Sequence, residues 1–261
     1  MNRIRFILRY IKYLLQSKTR HGTHSPFVYG LIEEVIYNDN SFYAFQNIER
    51  ARKSLLASDK VIEITDYGAG STFTGSKKRK ISDIALHSAK PAKFGKLLFR
   101  LVNKFQPATM LELGTSLGIS TLYQAGANHK ARFITLEGCP ETSKIARETL
   151  EKSGIQNVEV RTGPFEQTLL PALKELGSVD YVFFDGNHRK EPTLTYFNEC
   201  ISFANNKSLF IFDDIHWSDE MEEAWQIIKN HPEVSVTIDL FFIGLVFFRK
   251  EQAKEHFIVK F

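Results

Sequence analysis

The chain has 261 residues, 43% of them hydrophobic, and a formal net charge of +4. That length allows one large α/β domain with an appendage, the hydrophobic fraction is that of a folded protein, and so small a charge names no partner for the whole molecule. Only two cysteines, Cys139 and Cys200, exclude a disulfide framework or a cysteine-ligated zinc site and suggest a reducing compartment, with the cytoplasm as the expected location.

No apolar run approaches the roughly twenty residues that a membrane-spanning helix needs. The basic N-terminus lacks the uninterrupted apolar core and small-residue cleavage site of a signal peptide. Residues 3–20 carry Arg3, Arg5, Arg9, Lys12, Lys18 and Arg20 and no acid, while Ile4, Ile7, Leu8, Ile11, Leu14 and Leu15 recur at helical spacing. This is a basic amphipathic helix, expected to pack its apolar stripe on its own domain and to leave a solvated basic face. The functional alternatives are weak contact with an anionic membrane surface, or nucleic acid. The break at 21–27 places His21 and His24 three apart. With no cysteine or carboxylate near them, a capped, hydrogen-bonded turn before a helix is expected rather than a metal site. Helical stretches come next, at 28–37 and 47–57.

Residues 61–70, Val-Ile-Glu-Ile-Thr-Asp-Tyr-Gly-Ala-Gly, look like a strand running into Gly-x-Gly. The next ten residues are polar and then basic, through Lys77, Lys78, Arg79 and Lys80, and offer neither an amphipathic helix nor a second strand ending in an acid. Residues 71–80 therefore read as a loop, which either closes over a ligand, contacts an anionic substrate or is simply solvated. Helical patterns occupy 84–88 and 92–105, the second with Phe94, Leu97, Leu98, Leu101, Val102 and Phe105 on one face, and Pro107 stops it.

From there the chain alternates: strand at 110–113, helix to 127, strand 131–136, helix 140–152, strand 158–161, helix 165–176. Strand 179–184, helix 192–204, strand 209–212 and helix 218–230 continue the series, and alternation of this kind implies a parallel sheet with helices on both faces. The 22 phenylalanines fall in short runs such as Phe183-Phe184 and Phe210 to Phe212, suited to strands covered on both sides. At the end, 234–242 and 245–248 are separated only by Ile243-Gly244, too short for a crossover, and so form an antiparallel hairpin.

The centre of this organisation is Met-Leu-Glu-Leu-Gly-Thr-Ser-Leu-Gly-Ile-Ser at 110–120. It is a strand breaking into a glycine turn that opens a helix, where unpaired amides face whatever lies above the strand and glycine lets a ligand approach the backbone. Gly114 and Gly118 do not have the dinucleotide-fingerprint spacing. The next strand ends in Glu137, in register to accept hydrogen bonds from both hydroxyls of a ribose. A second feature lies further along. Asp185 ends one strand and Asp213 and Asp214 end the next, so three carboxylates converge at the ligand-binding edge of a parallel sheet. A hard divalent cation relieves their repulsion, and all-oxygen ligation favours magnesium or manganese. The alternative is that Asp213 or Asp214 caps the following helix and no metal binds.

Taken together, Leu-Glu-Leu-Gly-Thr-Ser-Leu-Gly-Ile-Ser, Glu137, Asp180-Tyr-Val-Phe-Phe-Asp185-Gly-Asn-His188, Phe210-Ile-Phe-Asp213-Asp214 and the closing hairpin resemble a class I S-adenosylmethionine-dependent methyltransferase over about residues 90–249. More narrowly, they resemble the metal-dependent O-methyltransferases of the catechol and caffeoyl-CoA type and their macrolide-sugar relatives. The resemblance implies a doubly wound, mostly parallel Rossmann-like α/β sheet with an antiparallel C-terminal hairpin strand, in a domain at 89–261, preceded by a mostly helical cap and loop region at 1–88. It implies that Glu112, Gly114, Ser116 and Gly118 shape the cofactor turn, that Ser120 meets the methionine carboxylate, and that Glu137 holds the ribose. Asp185 then borders the cofactor and, with Asp213 and Asp214, the cation. The turn at Gly163-Pro164-Phe165 would line adenine; because the family often has a small polar or acidic residue there, packing is expected to hold the base.

His188 stands where the catechol-type enzymes carry a basic lysine and is the first candidate for general base. His216 is the second candidate, or a metal ligand instead, since imidazole titrates near about pH 6.5. Trp217 is expected to wall the acceptor pocket or to sit in the core. The expected activity is methyl transfer to a hydroxyl of a small molecule or sugar. An RNA methyltransferase is the alternative motivated by the basic run and first helix, although the aromatic and basic interleaving of single-strand binders is missing, which argues against a nucleic-acid partner. A non-catalytic protein that keeps the cofactor fold is another. A small hydroxylated acceptor, a membrane surface touched by residues 3–20 and a homodimer complete the partners considered.

Overall fold

The structure is a computed structural model that describes residues 3–65 and 78–261. Gly68 and Gly70 of the Gly-x-Gly stretch, and residues 71–77 of the expected loop with Lys77 among them, lie outside the described residues. The chain runs through α1 (Arg3–Gln16), α2 (Pro26–Leu31, continued by a π turn at Ile32–Ile36), α3 (Tyr43–Leu56), β1 (Val61–Glu63), β2 (Lys78–Lys80), α4 (Ile81–His87) and α5 (Ala92–Phe105). Then come β3 (Thr109–Leu113), α6 (Ile119–Ala127), β4 (Arg132–Glu137), α7 (Pro140–Lys152), β5 (Val158–Thr162) and α8 (Phe165–Leu176). The last elements are β6 (Val179–Phe184), α9 (Lys190–Ile201), β7 (Ala204–Asp213), α10 (Asp219–Asn230), β8 (Val236–Asp239), β9 (Ile243–Phe247) and β10 (Glu255–Ile258). They form two compact units, one of Asp39–Leu176 and one of Met1–Asn38 with Gly177–Phe261.

In the unit 39–176, β3, β4 and β5 pair in parallel and in that order. Parallel neighbours need a crossover, and α6 and α7 supply it. Helix α5 lies against α6 because position 95 is glycine: a Cβ there would fall 2.4 Å from the Tyr123 ring. Around that contact Phe45, Phe99 and Tyr123 pack edge-on or tilted at 4.9–5.8 Å within a core that also takes Ile48, Leu122 and Ile145. The described end of the expected 71–80 loop is a strand. Lys78–Lys80 pairs antiparallel with Val61–Glu63, and the register sets Lys78 opposite Glu63, a favourable cross-strand charge pair.

In the other unit the order is β10-β8-β9-β7-β6, with β6 and β7 parallel and β9 antiparallel to both β7 and β8. The mostly parallel α/β architecture and its antiparallel hairpin strand are thus present. The phenylalanine runs fill the space beside it: Phe184 stacks on Phe212 at 4.3 Å, Phe210 meets Phe248 at 4.7 Å, and Phe197 and Trp225 close on Phe212.

Three expectations need correction here. The hairpin turns at 240–242 rather than at Ile243-Gly244. Phe241 adopts φ 69° there, its amide donating to Asp239 Oδ1 at 2.8 Å, and Gly244 instead sits inside β9, where a Cβ would come within 2.7 Å of the Trp225 ring. Strand β10 was not anticipated; it lies parallel to β8, and Lys18 bonds to its end through Ile258 O. Finally, the apolar stripe of α1 is not the face that packs. Ile4, Ile7, Leu8, Ile11, Leu14 and Leu15 are exposed, whereas Phe6, Tyr10 and Tyr13 pack on Phe241 and Arg9 pairs with Asp219 and Glu222. The His21 and His24 stretch behaves as expected, with Ser25 capping α2 through the Val28 amide and Pro26 in its first turn.

Candidate functional site

The turn between β3 and α6 has left-handed backbone at Gly114 (φ 104°), Ser116 (φ 49°) and Gly118 (φ 86°), which aims the start of α6 over the end of the strand. The first-turn amides of a helix have no intrahelical acceptor, so they remain available to an anionic or polar ligand. Two carboxylates hold the turn. Glu112 is fully buried and accepts four hydrogen bonds, from Ser120 Oγ (2.8 Å), Thr121 Oγ1 (2.5 Å), Gln124 Nε2 (2.7 Å) and Thr135 Oγ1 (2.7 Å). Burial pushes its carboxyl above the ordinary range, against the downward pull of those four donors.

Ser120, expected to meet the methionine carboxylate, spends its hydroxyl on Glu112. Its backbone, in the first turn of α6, is what remains for a ligand. Glu137 ends β4 half-buried, with Oε2 accepting from the Ser116 amide at 2.8 Å and Oε1 from the Cys139 amide at 2.9 Å. Its own carbonyl accepts from Gly163 N at 2.9 Å, which ties the expected adenine turn, ending at Phe165 where α8 begins, to the expected ribose carboxylate. Gly163 has φ 144°, a conformation that disfavours any other residue. The residues expected to hold the cofactor within this unit therefore converge on one turn. Thr121, Gln124 and Thr135 were missed; polar residues on the buried face of an otherwise apolar helix and strand were the available signal.

The second constellation is in the unit that holds β6 and β7. Asp185 follows β6 and Asp213 closes β7, and with His188 their ligating atoms all lie within 4.8 Å of one another. His188 Nε2 is 3.9 Å from Asp185 Oδ1, across a turn in which Asn187 has φ 54°. Two carboxylates and an imidazole are a donor set that a divalent cation accepts. Asp214 stands outside this group: it is the left-handed residue (φ 54°) of the turn after β7, its amide donating to Phe242 O at 2.7 Å and its carbonyl accepting from Trp217 N. Neither aspartate caps α10, because Ser218 does so by accepting from the Met221 amide at 3.1 Å.

His216 is not placed to act as a base. Both ring nitrogens are engaged, Nδ1 with Glu222 at 3.0 Å and Nε2 with Asp239 at 2.8 Å, and the ring stacks on Phe241. Burial pulls its pKa down, but the hydrogen bond and charge of Asp239, then of Glu222, outweigh it and hold the imidazole above the ordinary histidine value. With both nitrogens bonded to carboxylates, the ring keeps no lone pair facing a substrate and accepts no proton from one. Asp239 also accepts from Trp225 Nε1 at 3.3 Å, so His216 belongs to a buried strut. Trp217 is 41% exposed and meets Phe6 edge-on at 6.2 Å, so it is neither a core residue nor enclosed.

Residues 111–215 match the family profile described as a methyltransferase domain, a span that begins in β3 and ends just past Asp214. Among curated proteins, a catechol O-methyltransferase of Mycobacterium tuberculosis is 36% identical over 126 residues, 48% of this chain and 56% of that protein. A catechol O-methyltransferase of Niastella koreensis is 34% identical over 125 residues, 46% of this chain and 55% of that protein. The chain thus spans about half the length of these curated relatives. Among solved structures, the Podospora anserina methyltransferase with S-adenosylhomocysteine bound superposes with a TM-score of 0.60 at 15% identity, covering 82% of this chain and 91% of the other, a likeness of fold. No helix among the described residues is long and apolar enough to cross a membrane.

Proposed function

We propose that this chain is an S-adenosylmethionine-dependent O-methyltransferase acting on a hydroxyl of a small molecule or sugar, assisted by a divalent cation at Asp185 and Asp213. The observation that carries the reading is the seat formed at the ends of β3 and β4, where the Ser116 and Cys139 amides orient Glu137 beside a glycine turn opening α6. Its donor set suits a nucleoside with a carboxylate tail: an acid for two ribose hydroxyls, helix-start amides for the carboxylate, and the Gly163 turn for the base. Similarity to the two catechol O-methyltransferases supports the choice of oxygen as acceptor.

S-adenosylmethionine supplies an electrophilic methyl group when bound, and a divalent cation supplies Lewis-acid polarisation of the acceptor hydroxyl. Asp185 and Asp213 would hold that cation, and the buried setting of Asp213, 2% exposed, keeps competing water from it. The 3.9 Å separation of His188 Nε2 from Asp185 Oδ1 supports the reading of His188 as the group that takes the hydroxyl proton. Helix α6 and Glu137 orient the cofactor, which lowers the entropic cost of in-line transfer.

The test couples calorimetry to transfer. Wild-type protein is titrated with S-adenosylmethionine, Glu137→Ala is expected to bind it about 10- to 100-fold more weakly, and the absence of wild-type binding overturns the assignment. Labelled methyl transfer to a panel of catechols, other phenols and sugars is then followed with Mg²⁺ and with chelator. Loss of the metal response in Asp185→Asn supports the cation site, and transfer indifferent to chelator removes it. His188→Ala should lose turnover while keeping metal affinity; lost metal affinity would make it a ligand instead. Cofactor binding with no product from any acceptor would favour the non-catalytic alternative.

A further inference from the structure

Helix α1 carries its most apolar stripe outward. Leu15 is 82% exposed, Ile4 70%, Leu8 59% and Ile7 56%, and Ile11 and Leu14 complete the same face at i, i+3, i+4 and i+7 spacing. Single exposed apolar residues are ordinary, but six in one helical stripe are not. The opposite face does the anchoring: Tyr13 OH donates to Val259 O at 2.6 Å, Phe6, Tyr10 and Tyr13 pack on Phe241, and Arg9 is bound by Asp219 and Glu222. The helix is therefore held to the body of its unit with the stripe turned away from it.

We infer that this stripe docks on an anionic lipid surface, lying in the interface plane. The argument is one of charge complementarity. Residues 3–20 contain six basic residues and no acid; Arg5 and Arg9 pair with Asp219 and Arg20 with Glu33, so the complementarity rests on Lys12 and Lys18. Lys12 borders the stripe, four residues after Leu8 and three before Leu15, and both it and Lys18 are exposed. Lysines at the edge of an apolar helical face lay their stems along it and present their ammonium groups to lipid phosphates. A second copy packed on the same stripe would bring the two Lys12 side chains that border it together, with no acid in α1 to meet them.

Co-flotation of the full chain with vesicles tests this. Binding is expected to phosphatidylcholine vesicles containing phosphatidylserine, weaker on phosphatidylcholine alone, and reduced at high salt. Leu8→Glu/Leu15→Glu should lower the partition coefficient by about 100-fold, as two fewer leucines are buried in lipid. Lys12→Glu/Lys18→Glu should lower it by about 10-fold or more on the anionic vesicles only. All four positions are exposed, so both variants should keep the wild-type melting profile. Three results would each overturn the inference: no flotation of wild type on any vesicle, equal flotation of the leucine variant, or a wild-type dimer in sedimentation that Leu8→Glu/Leu15→Glu converts to monomer. Equal binding to neutral vesicles would overturn the anionic requirement.

Discussion

Glu112→Gln is the substitution that asks most directly what shapes the turn between β3 and α6. In the wild type, Oε1 takes Ser120 Oγ and Gln124 Nε2, and Oε2 takes Thr121 Oγ1 and Thr135 Oγ1, all at 2.5–2.8 Å. Glutamine keeps one oxygen and presents an NH₂ group where two donors converge. It is best accommodated on the Oε2 side, where both neighbours are hydroxyls that can rotate to accept; on the other side it would face the Gln124 amide nitrogen. All four charge-assisted bonds, of roughly 1.5–3 kcal/mol each, become neutral ones of roughly 0.5–1.5 kcal/mol, and the disappearance of the cost of burying a charge offsets part of that loss. The expected net loss is about 2 kcal/mol, read as a lower urea midpoint with unchanged m-value.

The same substitution has a pH signature. Burial raises the carboxyl pKa in the folded state, so the folded protein holds the proton where the unfolded chain, with a pKa near about 4.3, has released it. The stabilisation this gives is fully present below the unfolded value and is lost as pH rises through the folded one. The gap between wild type and Glu112→Gln should therefore narrow as pH increases from about 4 upward. A glutamine variant as stable as wild type, or a gap that widens with pH, would refute the account of Glu112 as the strut of this turn.

Gly244→Ala should destabilise by about 1–3 kcal/mol, because the new Cβ would press within 2.7–3.0 Å of three Trp225 ring carbons; a thermal melt reads it, and a wild-type midpoint would contradict the packing. Gly118→Ala places a side chain at φ 86°, costing roughly 1–2 kcal/mol. Because the three nearest atoms all belong to Ala146 and lie at an ordinary 3.5–3.6 Å, the loss should come from backbone strain and should also weaken S-adenosylmethionine binding in calorimetry. Asp239→Asn removes the charge facing His216 and one acceptor for Trp225 Nε1 and should cost about 3 kcal/mol or more. Urea unfolding checks this, and a loss under about 1 kcal/mol would deny the strut its role.

Local pattern decided most of the architecture. The run at 110–113, the glycines at 114 and 118 and the acid at 137 are short-range features, and the strand, turn and carboxylate lie where spacing placed them. Long-range partners decided the rest. Leu240, Phe241 and Phe242 look like strand, yet they form the turn, since Phe241 is claimed by Phe6, Tyr10, Tyr13 and His216 and its amide by Asp239. Gly244 looks like the turn, yet it lies in a strand because the Trp225 ring covers it. Strand β10 pairs with β8, and Lys18 from the other end of the sequence bonds to its last carbonyl, a partnership that no local pattern marks. Periodicity marked the apolar stripe of α1 without saying which face of the helix would meet the protein.

The two histidines show the same division at the level of chemistry. His188 and His216 each stand three residues after an aspartate at the end of a strand, Asp185 and Asp213, so nothing local separates the proposed base from the residue locked between two acids. The difference is supplied from elsewhere in the chain. Glu222 is one turn into α10 and Asp239 ends β8, and together they enclose the His216 ring on both nitrogens. His188 is instead grouped with Asp185 and Asp213, on the turn leading into α9. A proton acceptor must keep a nitrogen lone pair facing the substrate. By that criterion the two residues exchange standing with Asp239 alone: had β8 ended in an apolar residue, His216 Nε2 would have kept its lone pair and remained a candidate.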